Sequence, residues 1–439
     1  MQHGDVTNEG NVTTETEYQG ESEGGKNSGR SAFLRKLGFK WDPFVVPVTE
    51  QEFSLAYAPS RVARHELNKV PESAVLSCFV PPKNSVHPTH PILYDLRQPQ
   101  PAFVFGQPGQ GKTHLRLIFE AQCRGLEDPS LVVLYEIGPD FNQDMTLTDH
   151  WLKLSRQLAI DLFIQIVERF QSGKHIVTDE QIKVLGEQIR VGGRPLQRLI
   201  ERIIVEPTPD GSMGLAHRWP SVGRLAVRHV TKSDELIHLL QLVLTKSEEE
   251  EERPFDSAWS QLLSGIEAAE IWGFPQIFVL VDNVDNWQHE TDGMLRLVQP
   301  LVEETIALQG HEVYCKFFLP EVLRSPLESI WHTNDHLRHT EAFFITLTWD
   351  QTELKKLLLA RFRASGSRRK GFTDLSTDDF TKPLDDLLIQ QSQGSPRELL
   401  ELASRLINET AVANQTKKEE QVLAITPEMW QEVVTRQSS

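Results

Sequence analysis

Cysteine is scarce in this chain: Cys78, Cys123 and Cys315 are the only three among 439 residues, and they stand far apart. So few, so scattered, exclude a disulfide framework and a cysteine-built zinc module, and they point to a reducing, intracellular setting. Long apolar runs are missing too. No stretch approaches the ~18 consecutive apolar residues of a membrane span. The polar, acidic N-terminus does not read as a secretory leader. A soluble, cytoplasmic protein with no membrane segment is expected. Positive charge is in deficit, with 45 Lys and Arg against 62 Asp and Glu and a net charge of −17. That balance disfavours indiscriminate binding to nucleic acid or anionic lipid. What is present suffices for real cores: 39% hydrophobic residues and 9 Trp, over a length that suits about two or three domains.

One segment carries explicit chemistry. Residues 106–113 are Gly106, Gln107, Pro108, Gly109, Gln110, Gly111, Lys112 and Thr113, which fit the phosphate-loop pattern G-x-x-x-x-G-K-[ST]. The apolar residues 101–105 precede it as a strand, and 113–125 follow as a helix with Leu115, Ile118 and Phe119 on one side. Glycines at 106, 109 and 111 allow backbone angles closed to other residues, so that successive N–H groups can face inward. Those N–H groups, and the roughly +0.5 charge of a helix N-terminus, suit phosphate oxygens. Lys112 adds an ammonium, and the Thr113 hydroxyl is a magnesium ligand type.

A second element is expected to complete the metal site. Ile277 to Val281 is a continuous apolar run closed by Asp282, as in a strand buried on both faces of a parallel sheet. A carboxylate there can reach magnesium through a water. Asn283 follows where many such enzymes place Glu, so the next carboxylate, Asp285, is the candidate to orient a water toward the terminal phosphate.

Strands are expected at 101–105, 130–136, 276–282, 313–319 and 342–348, alternating with helices; that alternation predicts an α/β fold with a five-stranded parallel sheet. Residues 1–30 read as a disordered acidic tail. Residues 31–100 read as a segment packing on the core, with a helix near 61–69 and a proline-rich loop at 81–100. His87 and His90 in that loop read as loop residues, since no carboxylate or cysteine accompanies them at a ligand-like spacing. The core is divided into 101–138 and 276–349. Residues 139–275 read as a large inserted helical subdomain, with helical patterns at 151–170, 178–190, 195–204, 233–245 and 257–272. Residues 350–439 read as a C-terminal helical lid, in which Ser395 and Pro396 start a helix and put Arg397 in its first turn.

With phosphate loop, Asp282 strand, alternating strands and lid arginine in place, the chain resembles the AAA+/STAND division of P-loop ATPases. The Gly38 to Phe44 stretch is similar to the start of poorly characterised bacterial members. The resemblance implies ATP and Mg2+ as ligands, with Lys112 and Thr113 on phosphate and metal and Asp282 completing the metal site. It implies that Arg397 touches the γ-phosphate from the lid. Val281-Asp282-Asn283-Val284-Asp285 is closer to the STAND form than to the Asp-Glu form. The family's polar residue at the end of the fourth strand is missing. Lys316 or Glu321 could stand in for it, and Arg324 or Arg338 for the arginine supplied by a neighbouring subunit.

The leading expectation is a Mg2+-dependent ATPase that couples ATP and ADP states to movement of the lid and the helical insertion. It has an unidentified protein partner and a nucleotide-dependent homo-oligomer as its assembly. Asn283 keeps a second reading open, a nucleotide-gated switch with little turnover. The basic residues of 183–232, among them Arg194, Arg198, Arg224 and Arg228, keep open a less favoured third, a loader acting on nucleic acid; the plainer reading is a solvated face.

Overall fold

The computed structural model describes residues 23–44, 78–87, 89–124, 130–171, 176–205, 212–213, 230–231, 234–249, 255–415 and 424–436. The helix expected near 61–69 lies outside them. Helices α1 (Glu23–Lys36) and α2 (Ile92–Arg97) precede strand β1 (Ala102–Gly106), which feeds α3 (Lys112–Cys123) and then β2 (Leu131–Glu136). Helices α4 (Leu147–Gln171) and α5 (Asp179–Val205) follow, then the short ribbon β3 (Ser212–Met213) and β4 (Val230–Thr231), then α6 (Asp234–Glu249) and α7 (Ala258–Ile271). Strand β5 (Ile277–Asp282) leads through α8 (Val284–Trp287), α9 (Thr291–Glu303) and α10 (Thr305–Gln309) to β6 (Val313–Pro320). Helix α11 (Arg324–Thr333) then leads to β7 (Phe343–Thr346). Helices α12 (Gln351–Ala364), α13 (Leu384–Gln391), α14 (Pro396–Gln415) and α15 (Pro427–Thr435) complete the chain.

The main sheet has five parallel strands in the order β2-β5-β6-β1-β7. Alternate residues serve its two faces, as a period of two demands. Phe103, Phe105, Val279, Val281 and Phe317 face α4, α7, α9 and α11. Val104, Val132, Phe278, Leu280 and Phe318 face Leu115 and Phe119 of α3 and Ile92 and Leu96 of α2. The chain leaves β1 toward the α2/α3 face and leaves its neighbour β6 toward the other. Connections that diverge in this way open a crevice at the carboxyl ends of the strands, where open α/β sheets bind their ligands.

The helical block after β2 does not stand apart. Leu154, Leu158 and Leu162 of α4 and Ile189 and Ile200 of α5 share one apolar core with a face of the sheet. Helix α4 also closes the outer edge of β2. Gln165 accepts from the Val132 N–H at 3.3 Å and donates to the Val132 carbonyl at 2.8 Å. The Asp161 carboxylate accepts from the Leu134 N–H at 2.8 Å. An edge strand so covered offers no free ladder for another chain. The patterns expected at 178–190 and 195–204 are both in α5, which breaks at Gly193 (φ 69) before Pro195.

The N-terminal segment divides: Ile92 and Leu96 pack on the sheet, as expected, whereas the described residues before 45 do not. Residues 23–30, expected in the disordered tail, are helical in α1. Phe33, Leu34, Phe39 and Phe44 pack with Leu358, Phe362, Phe372 and Leu406 of the C-terminal helices, not with the sheet. Arg30 fixes this union: it reaches Asp42 at 2.5 Å and donates to the Ser404 carbonyl at 2.9 Å. The aromatic stretch from Gly38 to Phe44 is therefore part of the core of the C-terminal helical unit.

Candidate functional site

The segment 106–113 joins β1 to α3 at the crevice. Gly109 (φ 86) and Gly111 (φ 88) hold left-handed angles, which a side chain would strain. The loop braces itself. Gln110 N–H donates to the Gln107 carbonyl at 3.2 Å, and Gln107 N–H donates to the Gln110 Oε1 at 3.1 Å. From outside, the Trp349 indole donates to the Gln110 carbonyl at 3.0 Å. Lys112 is nearly enclosed; its Nζ donates to the Gly106 carbonyl at 2.9 Å and stands 3.4 Å from Asp285 Oδ2.

Pro108, Gly109, Gly111, Lys112 and Thr113 line a cavity of about 950 Å3 that Asp282, Asp285 and Arg397 also line. Lys112, Thr113, Asp282, Asp285 and Arg397 thus converge on one site, from α3, β5, α8 and α14. Asp285 is in the first turn of α8 with its side chain 26% exposed. Asp282, at the end of β5, lies deeper and is 1% exposed. Its Oδ1 accepts from the Asn283 N–H at 2.8 Å, and its Oδ2 is 2.9 Å from Arg116 Nε. Asn283 itself is left-handed, with φ 68. Asn tolerates that angle far better than most side chains, which gives the departure from the Asp-Glu form a conformational cause.

Three groups that the sequence did not single out stand at the site: Glu136 and Trp349 in the cavity lining, and Arg116 against the lining residues Asp282 and Glu136. Arg116, one turn beyond Lys112, is fully buried and lies 3.0 Å from Glu136 Oε1 as well as on Asp282. Glu136 ends β2 opposite Asp282 in the strand register. Burial pushes the Glu136 carboxyl up to about 8, although the Arg116 guanidinium pulls the other way. The third is Trp349. Its hydrogen bond ties the stretch between β7 and α12 to the loop. Each acid closed a strand in the sequence; only the pairing of β2 with β5 reveals that they are neighbours.

Arg397 approaches from α14. A Cβ built on Gly109 would stand 2.8 Å from Arg397 Cβ, so this glycine makes room for the lid residue. Glu401, the surface partner that Arg397 could have taken one turn on, is instead 3.5 Å from Arg405. Phe79, Val80, Pro82, Leu357 and Leu400 give the same cavity apolar lining.

Other expected groups stand elsewhere. Lys316 pairs in register with Ala102, at the end of β1 opposite the loop. Its Nζ donates to the carbonyls of Gln98 and Gln100 at 2.8 and 2.5 Å, and burial lowers its pKa to about 7. That placement removes it as a contact for the loop's ligand. Glu321 begins the turn after β6 and does not line the cavity. Arg324 is engaged with Glu328 at 2.8 Å and Thr346 at 2.5 Å, and Arg338 with Asp335 at 3.1 Å. Of the basic stretch, Arg218, Arg224, Arg228 and Lys232 lie outside the described residues. The chain matches no family model, no curated protein and no solved structure.

Proposed function

We propose that the chain is a P-loop ATPase that binds ATP with Mg2+ in the cavity between the sheet and the C-terminal helices. One observation carries the reading: Lys112, Thr113, Asp282, Asp285 and Arg397 line a single cavity beside a loop whose glycines present bare backbone. Loop N–H groups and Lys112 hold the phosphates. Apolar lining from Phe79, Val80 and Leu400 suits a purine base. Thr113 and Asp282 supply hard oxygen donors of the kind Mg2+ prefers. Arg116 already sits against Asp282, and the two donors would hold the ion in place. Bound magnesium would draw charge off the phosphate oxygens. Asp285 orients the attacking water, and Arg397 reads the terminal phosphate from the lid, so that ATP and ADP set different lid positions. A cytoplasmic location, a protein partner and a nucleotide-dependent homo-oligomer belong to the same proposal.

A second reading has its own observation. Asp285 is engaged with Lys112, and Asn283 replaces the usual base; a nucleotide-gated switch with little turnover would use the same site. Phosphate release by wild type and by Asp285→Asn separates the two. The ATPase reading expects steady release that falls at least ten-fold in the variant while ATP binding persists. Binding without release in wild type would establish the switch.

A further inference from the structure

A second cluster lies away from that cavity, in the loop before β1. His87, His90 and Asp95 can each present one donor atom so that all three lie within 4.8 Å of one another. The two histidines looked unaccompanied in sequence because the carboxylate comes from α2, after a turn the spacing does not reveal. Asp95 is 1% exposed, and among the described residues its ion-pair partner is His87 and not a Lys or Arg. Its Oδ2 accepts from Asn84 Nδ2 at 2.6 Å and lies 2.9 Å from His87 Nδ1. A buried carboxylate is costly without a cation. A bound metal ion would supply one.

The loop is also held in shape before any ion arrives. Asn84 Oδ1 accepts from the N–H groups of Val86 and His87 at 3.0 and 3.1 Å. Ser85 Oγ accepts from the Thr346 N–H at 2.8 Å, and Lys83 bridges to Thr348. The ligand loop is thus anchored to the edge strand β7. His90 is exposed, its ring 5.8 Å from that of His87.

We propose that His87, His90 and Asp95 bind a zinc-class divalent transition metal, with solvent completing the coordination. Two imidazoles and one carboxylate suit Zn2+ or Co2+ and not Mg2+ or Ca2+, which prefer all-oxygen shells. Such an ion would clamp the 84–90 loop to α2 and, through Ser85, to β7. The inference is independent of the nucleotide reading.

The test uses the full chain without a histidine tag. Titration with Co2+ is followed by visible d–d absorption, and Zn2+ affinity is measured against a chromophoric chelator. We expect one saturable equivalent at micromolar metal, undiminished by excess Mg2+. His90→Ala removes an exposed ring without a side-chain hydrogen bond among the described residues, so circular dichroism should be unchanged. That variant should bind at least about ten-fold more weakly. Asp95→Asn keeps an acceptor for Asn84 and should also weaken binding. Absence of saturable binding in wild type, displacement by Mg2+, or wild-type affinity in His90→Ala would overturn the proposal; the last would place the metal elsewhere among the 15 histidines.

Discussion

Arg116→Met is the substitution whose consequence follows most directly from the geometry. Arg116 is buried between Asp282 at 2.9 Å and Glu136 at 3.0 Å. Methionine fills much of the volume and removes the guanidinium. Two carboxyls then remain with their guanidinium gone, at a cost of about 3–5 kcal/mol for a broken buried pair. That is a large share of the ~5–15 kcal/mol that holds a typical domain. The loss should depend on pH. Glu136 has its folded pKa raised from 4.5 to about 8. The folded chain therefore keeps a proton that the unfolded chain releases, and this contribution to stability falls as pH rises from about 4.5 to about 8. Arg116 pulls the Glu136 value down, so its removal raises that value further and extends the fall beyond pH 8. Urea unfolding followed by tryptophan fluorescence should show a greater loss at pH 8 than at pH 5. Adding Glu136→Gln to Arg116→Met removes the group whose proton release drives the fall and should flatten the pH dependence. A loss below about 1 kcal/mol at pH 8, or an equal loss at both pH values, would refute the reasoning.

Two further substitutions test the loop and the lid. Gly109→Ala puts a side chain at φ 86, at a cost of about 1–2 kcal/mol, and drives its Cβ against the first carbon of Arg397. Thermal melting should fall by a few degrees, whereas an unchanged melting curve would mean the lid does not rest on the loop. Arg397→Ala should leave ADP binding near wild type and reduce the preference for ATP by about ten- to a hundred-fold, the worth of a charged hydrogen bond. Protease protection of residues 350–436 by ATP but not ADP should vanish with it; protection that persists would return Arg397 to an ordinary surface role.

The parts legible in the sequence are those encoded locally. The loop 106–113 is a contiguous pattern, and the five strands are contiguous apolar runs, so each falls within a residue or two of its expected place for most of their ends. What depends on strand order was not legible. Glu136 and Asp282 are far apart in the chain, and only the pairing of β2 with β5 makes them share Arg116. Lys316 illustrates the same limit. Its position on β6 suited a contact near the loop, but the register with Ala102 puts it at the opposite end of the strand. The aromatic segment around Phe39 and Phe44 announced burial without a partner, and the partner is the C-terminal helices. Asp95 reaches His87 across a turn whose geometry no spacing rule captures.

The central claim is that the cavity beside residues 106–113 takes ATP with magnesium, and its most direct test is titration calorimetry of the full chain with ATP in the presence and absence of Mg2+. Wild type should bind one equivalent, more tightly with Mg2+. Lys112→Ala, which removes the ammonium held between the Gly106 carbonyl and Asp285, should keep its circular dichroism spectrum and lose that binding. No binding to wild type, or equal affinity in Lys112→Ala, would contradict the account.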